Sequence, residues 1–264
     1  MTERRNSETR GHLESDGAKI AWRRTTGRGP TLIWLGGFRS EMNGTKAGAL
    51  AEWAARQDRD FLRFDYFGHG VSDGQFESGT VTRWRADALA VLDTLTQGPV
   101  ILVGSSMGGW LACLVALARP TRIGGLLLIA PAADFTEKLI AAGLTRAAKA
   151  ALRRDGVWRR PSAYDPHGYP ITRALLEDGA RWSILPGPVP IEAPVRILHG
   201  GADADVPWRH ALDLALAIKS EDVVFSLIRD GDHRLSRPED LTRIAAFASE
   251  LADGGEGVGR PEPP

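Results

Sequence analysis

The 264-residue chain is 43% hydrophobic, enough to bury one sizeable core, and a single domain of this length is ordinary for a layered α/β architecture. Lys plus Arg and Asp plus Glu both number 33, so the net charge is zero, which argues against a nucleic-acid partner or an anionic membrane surface. The single cysteine, Cys113, excludes an internal disulfide and a cysteine-based metal cluster, and no apolar run reaches the ~18 residues that span a bilayer.

Met1 to Gly11 is polar and lacks the apolar stretch of a signal peptide, and Glu3 and Glu8 sit badly with an acidic-poor transit peptide. The expected location is therefore cytoplasmic, with residues 1–10 and 253–264 as disordered termini. Leu13-Glu14 and Lys19 to Arg24, around Asp16-Gly17, predict an opening hairpin. Thr31 to Leu35 is an apolar strand ending at Gly36-Gly37, Thr45 to Gln57 an Ala-rich helix, and Phe61 to Asp65 the next strand. Val81 to Thr96 has helical spacing through Trp84, Ala88, Val91, Leu92 and Leu95. Pro99 to Gly104 (PVILVG) is a continuous apolar run, suited to the centre of a parallel sheet covered on both faces. A helix over Met107 to Ala118 and a strand over Ile123 to Ala130 follow.

The rhythm then breaks. Residues 132–190 hold one helical stretch, Thr136 to Leu152, and a segment rich in Trp, Tyr, Pro and Arg. Alternation resumes with Pro194 to His199 (strand), Trp208 to Lys219 (helix), Val223 to Ile228 (strand) and Pro238 to Leu251 (helix). The pattern predicts an α/β fold: a mostly parallel sheet with helices on both faces, its core formed by residues 11–131 and 191–252. Residues 132–190 are expected to form a cap insertion over the carboxyl ends of the strands.

Gly104-Ser105-Ser106-Met107-Gly108 fits G-x-S-x-G between an apolar strand and a helix. In that context a sharp turn lifts the serine hydroxyl above the sheet, and the frame selects Ser106 over Ser105 as nucleophile. A serine hydroxyl needs a base to take its proton, and His233 follows the last strand in Gly231-Asp232-His233. The other five histidines (His12, His69, His167, His199 and His210) read as structural or solvated. The orienting acid should follow the preceding strand, where HGGADADVP offers Asp203 and Asp205. Asp203 sits where the loop should turn inward, whereas Asp205 precedes a helix and is placed to cap it. The order Ser, Asp, His along the chain is that of α/β-hydrolases rather than of the serine proteases.

The oxyanion donors are expected at the N–H of Met107 and of Phe38, in the turn after TLIWL. Asp65 to Gly74 is Gly-rich but carries no phosphate-loop pattern, and reads as structural. Trp208, Trp158 and Trp182, with Phe38 and Met107, are the expected walls of an apolar acyl pocket. Neither a metal nor a cofactor is expected.

These motifs resemble the α/β-hydrolase superfamily over about residues 20–250. GGFRSEMNGTKA, FLRFDYFGHGVSDG, GSSMGGW, HGGADADVPW and DHR resemble more narrowly the family of the mammalian mitochondrial α/β-hydrolase domain-containing protein ten and its bacterial relatives. That resemblance implies a cofactor-free esterase or thioesterase removing S-acyl (palmitoyl) groups or cleaving acyl glucuronides, with its triad on Ser106, Asp203 and His233. The same triad would support an acyltransferase or a perhydrolase, and the same fold a non-catalytic ligand-binding protein. A dehalogenase is disfavoured, because it needs Asp where Ser106 stands.

Overall fold

The computed structural model describes residues 8–161 and 166–254; the segments 1–7 and 255–264, both within the termini expected to be disordered, lie outside the described residues. The chain opens on β1 (Glu8–Ser15) and β2 (Ala18–Thr25), an antiparallel pair turned at Asp16 (φ 42°) and Gly17 (φ 73°). An Asp-Gly pair with both residues left-handed matches the twist of the flanking strands. β1 starts earlier than the sequence predicts. Glu8, Thr9 and Arg10 pair with Thr25, Arg24 and Arg23, and the Glu8 carboxylate bridges Arg23 and Arg63. Those ion pairs give a polar segment a place on the sheet that hydrophobic patterning does not reveal.

Next come β3 (Arg28–Leu35), α1 (Thr45–Arg56), β4 (Arg59–Phe64), α2 (Val81–Leu95), β5 (Val100–Ser105), α3 (Met107–Ala118) and β6 (Ile123–Ile129). The segment that follows differs from expectation. In place of one helix over 136–152, a π-helical turn (Thr136–Ile140) and a 3-10 turn (Ala141–Gly143) precede α4 (Arg146–Asp155). Leu144 is extended, and Thr145 caps the new helix by accepting the Ala148 N–H. A short antiparallel pair, β7 (Val157–Arg160) and β8 (Tyr169–Thr172), and helix α5 (Arg173–Gly179) follow. The chain returns through β9 (Val195–Gly200), α6 (Trp208–Ala217), β10 (Val223–Ile228) and α7 (Pro238–Ala252).

The main sheet has eight strands in the order β1-β2-β4-β3-β5-β6-β9-β10, antiparallel at β1-β2-β4 and parallel beyond. Side chains alternate across it, as the pleat demands. On β5, Ile101 and Val103 face Leu50 and Trp53 of α1 and Ile244 and Ala248 of α7. Val100 and Leu102 face Val91 and Leu92 of α2, Leu111 and Val115 of α3 and Leu214 of α6. Each buried Val, Leu or Ile among them contributes about 1.5–3 kcal/mol. Helix α3, apolar along its whole length, is buried on nearly all sides. This is the α/β-hydrolase fold, with a helical and strand insertion between β6 and β9.

The insertion is fastened at its base. Asp134, buried and held at φ 53°, accepts hydrogen bonds from the N–H groups of Ile184 (2.9 Å) and Leu185 (2.7 Å) and from the Ser183 hydroxyl (2.8 Å). Strand order reverses between β3 and β5, and in open α/β sheets the crevice beyond such a switch point is where ligands bind.

Candidate active site

At that switch point the chain passes from β5 to α3 through Ser106, whose backbone (φ 55°, ψ −118°) lies outside the regions open to ordinary residues. Such strain amounts to about 1–3 kcal/mol and persists only where the surroundings over-determine it. Here the flanking glycines do so. A Cβ on Gly104 would lie 2.3 Å from the Gly108 carbonyl oxygen, and one on Gly108 would lie 2.0 Å from that of Leu35. The strand, the turn and the helix therefore close on one another only without side chains at these positions. The Ser106 backbone is anchored by its N–H to Ile129 O (2.9 Å) and by its carbonyl to the Ala132 N–H (3.1 Å).

His233 arrives in the loop after β10. The Asp232 carboxylate accepts the N–H groups of Arg234 (3.1 Å) and Leu235 (3.0 Å), folding that loop back on itself. His233 Nε2 stands 3.1 Å from Ser106 Oγ, and Nδ1 stands 2.7 Å from Asp203 Oδ2. Asp203, its side chain fully buried, is held by the N–H groups of Asp205 (2.9 Å) and Val206 (2.8 Å) on Oδ1. His199 Nε2 lies 3.3 Å from Oδ2 and 2.9 Å from the Val206 carbonyl. Burial alone would raise the Asp203 pKa. Hydrogen bonds from His199 and His233, the charge of His233 and the Val206 N–H outweigh it and hold the carboxyl well below the usual carboxylate range. The structure thus brings the three expected catalytic residues together. Asp205 lines the cavity instead of capping α6, whose N-cap, Pro207, has no side-chain hydrogen bond.

Phe38 and Met107 line the cavity above Ser106. Among the described residues neither backbone N–H is donated to a protein acceptor, and Met107 opens α3, where the helix leaves its first N–H groups free. The Phe38 ring packs edge-on against Phe76 (4.8 Å between centroids), Trp84 (5.9 Å) and Tyr169 (6.0 Å).

The cavity has a volume of about 450 Å³. Its apolar wall is Phe38, Met107, Ala132, Phe135, Leu139, Ile140 and Ile171, and its polar side carries Glu41, Lys46, Arg160 and Asp205. The three tryptophans expected here are not in its wall. Trp182 donates its indole N–H to Thr82 Oγ1 (2.7 Å) and carries the Arg85 guanidinium 4.4 Å over its ring, fastening the insertion to α2. Trp208 packs under Arg209 (4.3 Å), and Trp158 packs against the main core from β7. A tryptophan whose polar edge and ring face find partners elsewhere is not free to line a pocket. Leu139 and Ile140 were missed because the π-helical turn shifts them out of helical register.

Lys46, in the first turn of α1, is half-buried, and its ammonium donates to the Arg234 carbonyl beside His233. Burial and the Arg234 charge push its pKa down to about 8, against the pull of Asp232, Asp203 and Asp240. Between that value and the ordinary 10.5, the unfolded chain holds this proton more fully than the folded one. Stability therefore rises with pH across that window relative to Lys46→Met, which has no such proton. Urea midpoints of both proteins at pH about 7 and about 9.5 should diverge in the wild type's favour at the higher pH; parallel midpoints would contradict this.

Comparison with known proteins agrees with the geometry. Residues 31–168 match the family model described as serine aminopeptidase, S33. Palmitoyl-protein thioesterase ABHD10 of Mus musculus is 39% identical over 235 residues, covering 89% of this chain and 79% of that protein. A solved structure of a protein from Agrobacterium vitis S4 is 42% identical (TM-score 0.90, 93% of this chain, 99% of that one). The structure of mouse α/β-hydrolase domain-containing protein 10 is 37% identical (TM-score 0.85, 93% and 98%). The cytoplasmic location expected from the N-terminal composition does not stand, since the mammalian relatives are named as mitochondrial. No helix among the described residues is long and apolar enough to cross a membrane. The chain belongs to the α/β-hydrolase superfamily, in the family of the ABHD10 proteins, and is an enzyme of the serine-hydrolase type.

Proposed function

We propose that the protein hydrolyses carboxylic esters or thioesters of apolar acyl chains through an acyl-Ser106 intermediate. The observation that carries this reading is the Ser106–His233–Asp203 hydrogen-bond chain at the foot of a cavity walled by Phe135, Leu139, Ile140 and Ile171. His233 Nε2 takes the Ser106 proton as Oγ attacks the acyl carbonyl, and Asp203 stabilises the imidazolium. The N–H groups of Phe38 and Met107 receive the developing oxyanion, each worth about 3 kcal/mol in the transition state. The imidazolium then gives its proton to the departing alcohol or thiol, and a water activated by the same nitrogen releases the acid. The activity named for the mammalian relatives, palmitoyl-protein thioesterase, supports a thioester substrate.

The test pairs an oxygen ester and a thioester of one acyl chain with fluorophosphonate labelling of wild type and Ser106→Ala. Label that vanishes in the variant, with thioester turnover at least matching the oxygen ester, is the expected result. A thiol leaves readily because its pKa is about 8.5, so a strong oxygen-ester preference would sink the thioesterase part. A folded wild type that takes no label and turns over neither substrate would sink the whole reading.

A further inference from the structure

The turn that carries Phe38 is contacted by a histidine outside the triad. The turn closes with the Ser40 N–H on the Gly37 carbonyl (3.0 Å) and places Arg39 at φ 59°. A positive φ at the third residue of a four-residue turn is the type II requirement, normally met by glycine. Arg39 meets it under strain, so something outside the turn must select this orientation of the Phe38–Arg39 peptide. The group in position to do so is His69, nearly fully buried, whose Nε2 accepts the Arg39 N–H at 3.3 Å.

The tautomer follows from geometry. His69 Nδ1 faces the Phe67 carbonyl at 3.1 Å and must carry the proton, which leaves Nε2 as an acceptor. Burial pushes the imidazole pKa down to about 4, keeping that lone pair free at working pH. The ring is fixed edge-on against Phe76 (5.0 Å) and Trp84 (5.3 Å), the same two rings that hold the Phe38 side chain. Turning the Phe38–Arg39 peptide over would bring the Phe38 carbonyl onto an imidazole lone pair, acceptor against acceptor.

We infer that His69 is a positioning residue for the oxyanion hole: by holding the Phe38–Arg39 peptide it keeps the turn closed, and the closed turn is what sets the adjoining Gly37–Phe38 peptide, whose N–H serves the acyl carbonyl on Ser106. This rests on the proposed acyl-serine chemistry, and it gives a site-specific role to a Gly-rich segment that otherwise reads as structural. Because the effect acts on the transition state, loss of the acceptor should lower kcat and leave KM nearly unchanged.

The experiment compares wild type, His69→Phe and His69→Gln. Phe keeps the ring packing without an acceptor, and Gln carries a carbonyl acceptor to a similar reach. Fluorophosphonate titration counts competent sites, so a partly unfolded variant is still measured per active molecule. A trifluoromethyl ketone, which forms an oxyanion on the serine, reads the hole directly. Expected for His69→Phe are a kcat loss of about 10–100-fold, a parallel weakening of the ketone and KM within about twofold. His69→Gln should recover much of both. Equal losses in the two variants, a loss confined to KM, or unchanged ketone binding would overturn the inference while leaving the proposed hydrolase intact. A wild type that neither labels nor hydrolyses would overturn both.

Discussion

Asp203→Asn should lower kcat by about 10³–10⁴-fold with little change in KM or in thermal stability. The size follows from how the carboxylate is gripped. Oδ1 accepts two backbone N–H groups, from Asp205 and Val206, so an asparagine there must turn its carbonyl oxygen toward them. Its amide NH2 then faces His233 Nδ1 at the place where Oδ2 now stands 2.7 Å away. A donor at that point forces Nδ1 to accept, which moves the imidazole proton to Nε2, the nitrogen that must receive the Ser106 proton 3.1 Å away. The variant keeps the architecture and holds the base in the wrong tautomer. Steady-state kinetics on an activated ester, with the pH profile, would check it; a loss under tenfold would mean that Asp203 does not set the tautomer.

Gly108→Ala is the second large effect, and it acts on folding. The added methyl would lie 2.0 Å from the Leu35 carbonyl oxygen and 2.6 Å from that of Gly36, both backbone atoms that no rotamer change can move. Helix α3 must then back away from the end of β3, opening the junction between them. Overpacking of this kind costs typically 1–3 kcal/mol, and we expect about 3 because the obstacle is backbone. The same displacement separates Met107 from Phe38, so surviving folded protein should also be slow. Urea unfolding and active-site-titrated kinetics should both show losses, and a variant as stable as wild type would contradict the close approach.

Much of this was readable in the sequence because backbone geometry forces particular residues. PVILVG has no polar position and so belongs at a doubly covered sheet centre, where β5 stands. Asp16-Gly17 announces its turn, and the glycines of G-x-S-x-G are demanded by contacts of 2.3 and 2.0 Å. The insertion was opaque for the opposite reason. VWRR and YPIT pair as β7 and β8 without an alternating pattern, and Pro170 within the second weakens its strand signal. The helix expected over 136–152 breaks at Leu144 because Thr145 offers a better start. The cavity wall is not legible from aromatic residues, because Trp158, Trp182 and Trp208 find their partners in packing. Location fared worst, since it rested on the composition of a short polar segment and on no physical constraint.

The carboxylate of Asp134 has one more consequence. Asp134 follows the end of β6, and Ser183, Ile184 and Leu185 precede the start of β9, so the intervening residues form a loop whose two ends are tied to one another. The entropy of closing such a loop grows only with the logarithm of its length, about 0.6 kcal/mol for each doubling. Changes of length within it therefore cost little in closure entropy, and their cost lies in the contacts the loop makes with α2 and the core. The insertion's contribution to the cavity wall, Leu139, Ile140 and Ile171, thus hangs from a knot that does not involve the residues at the strand ends.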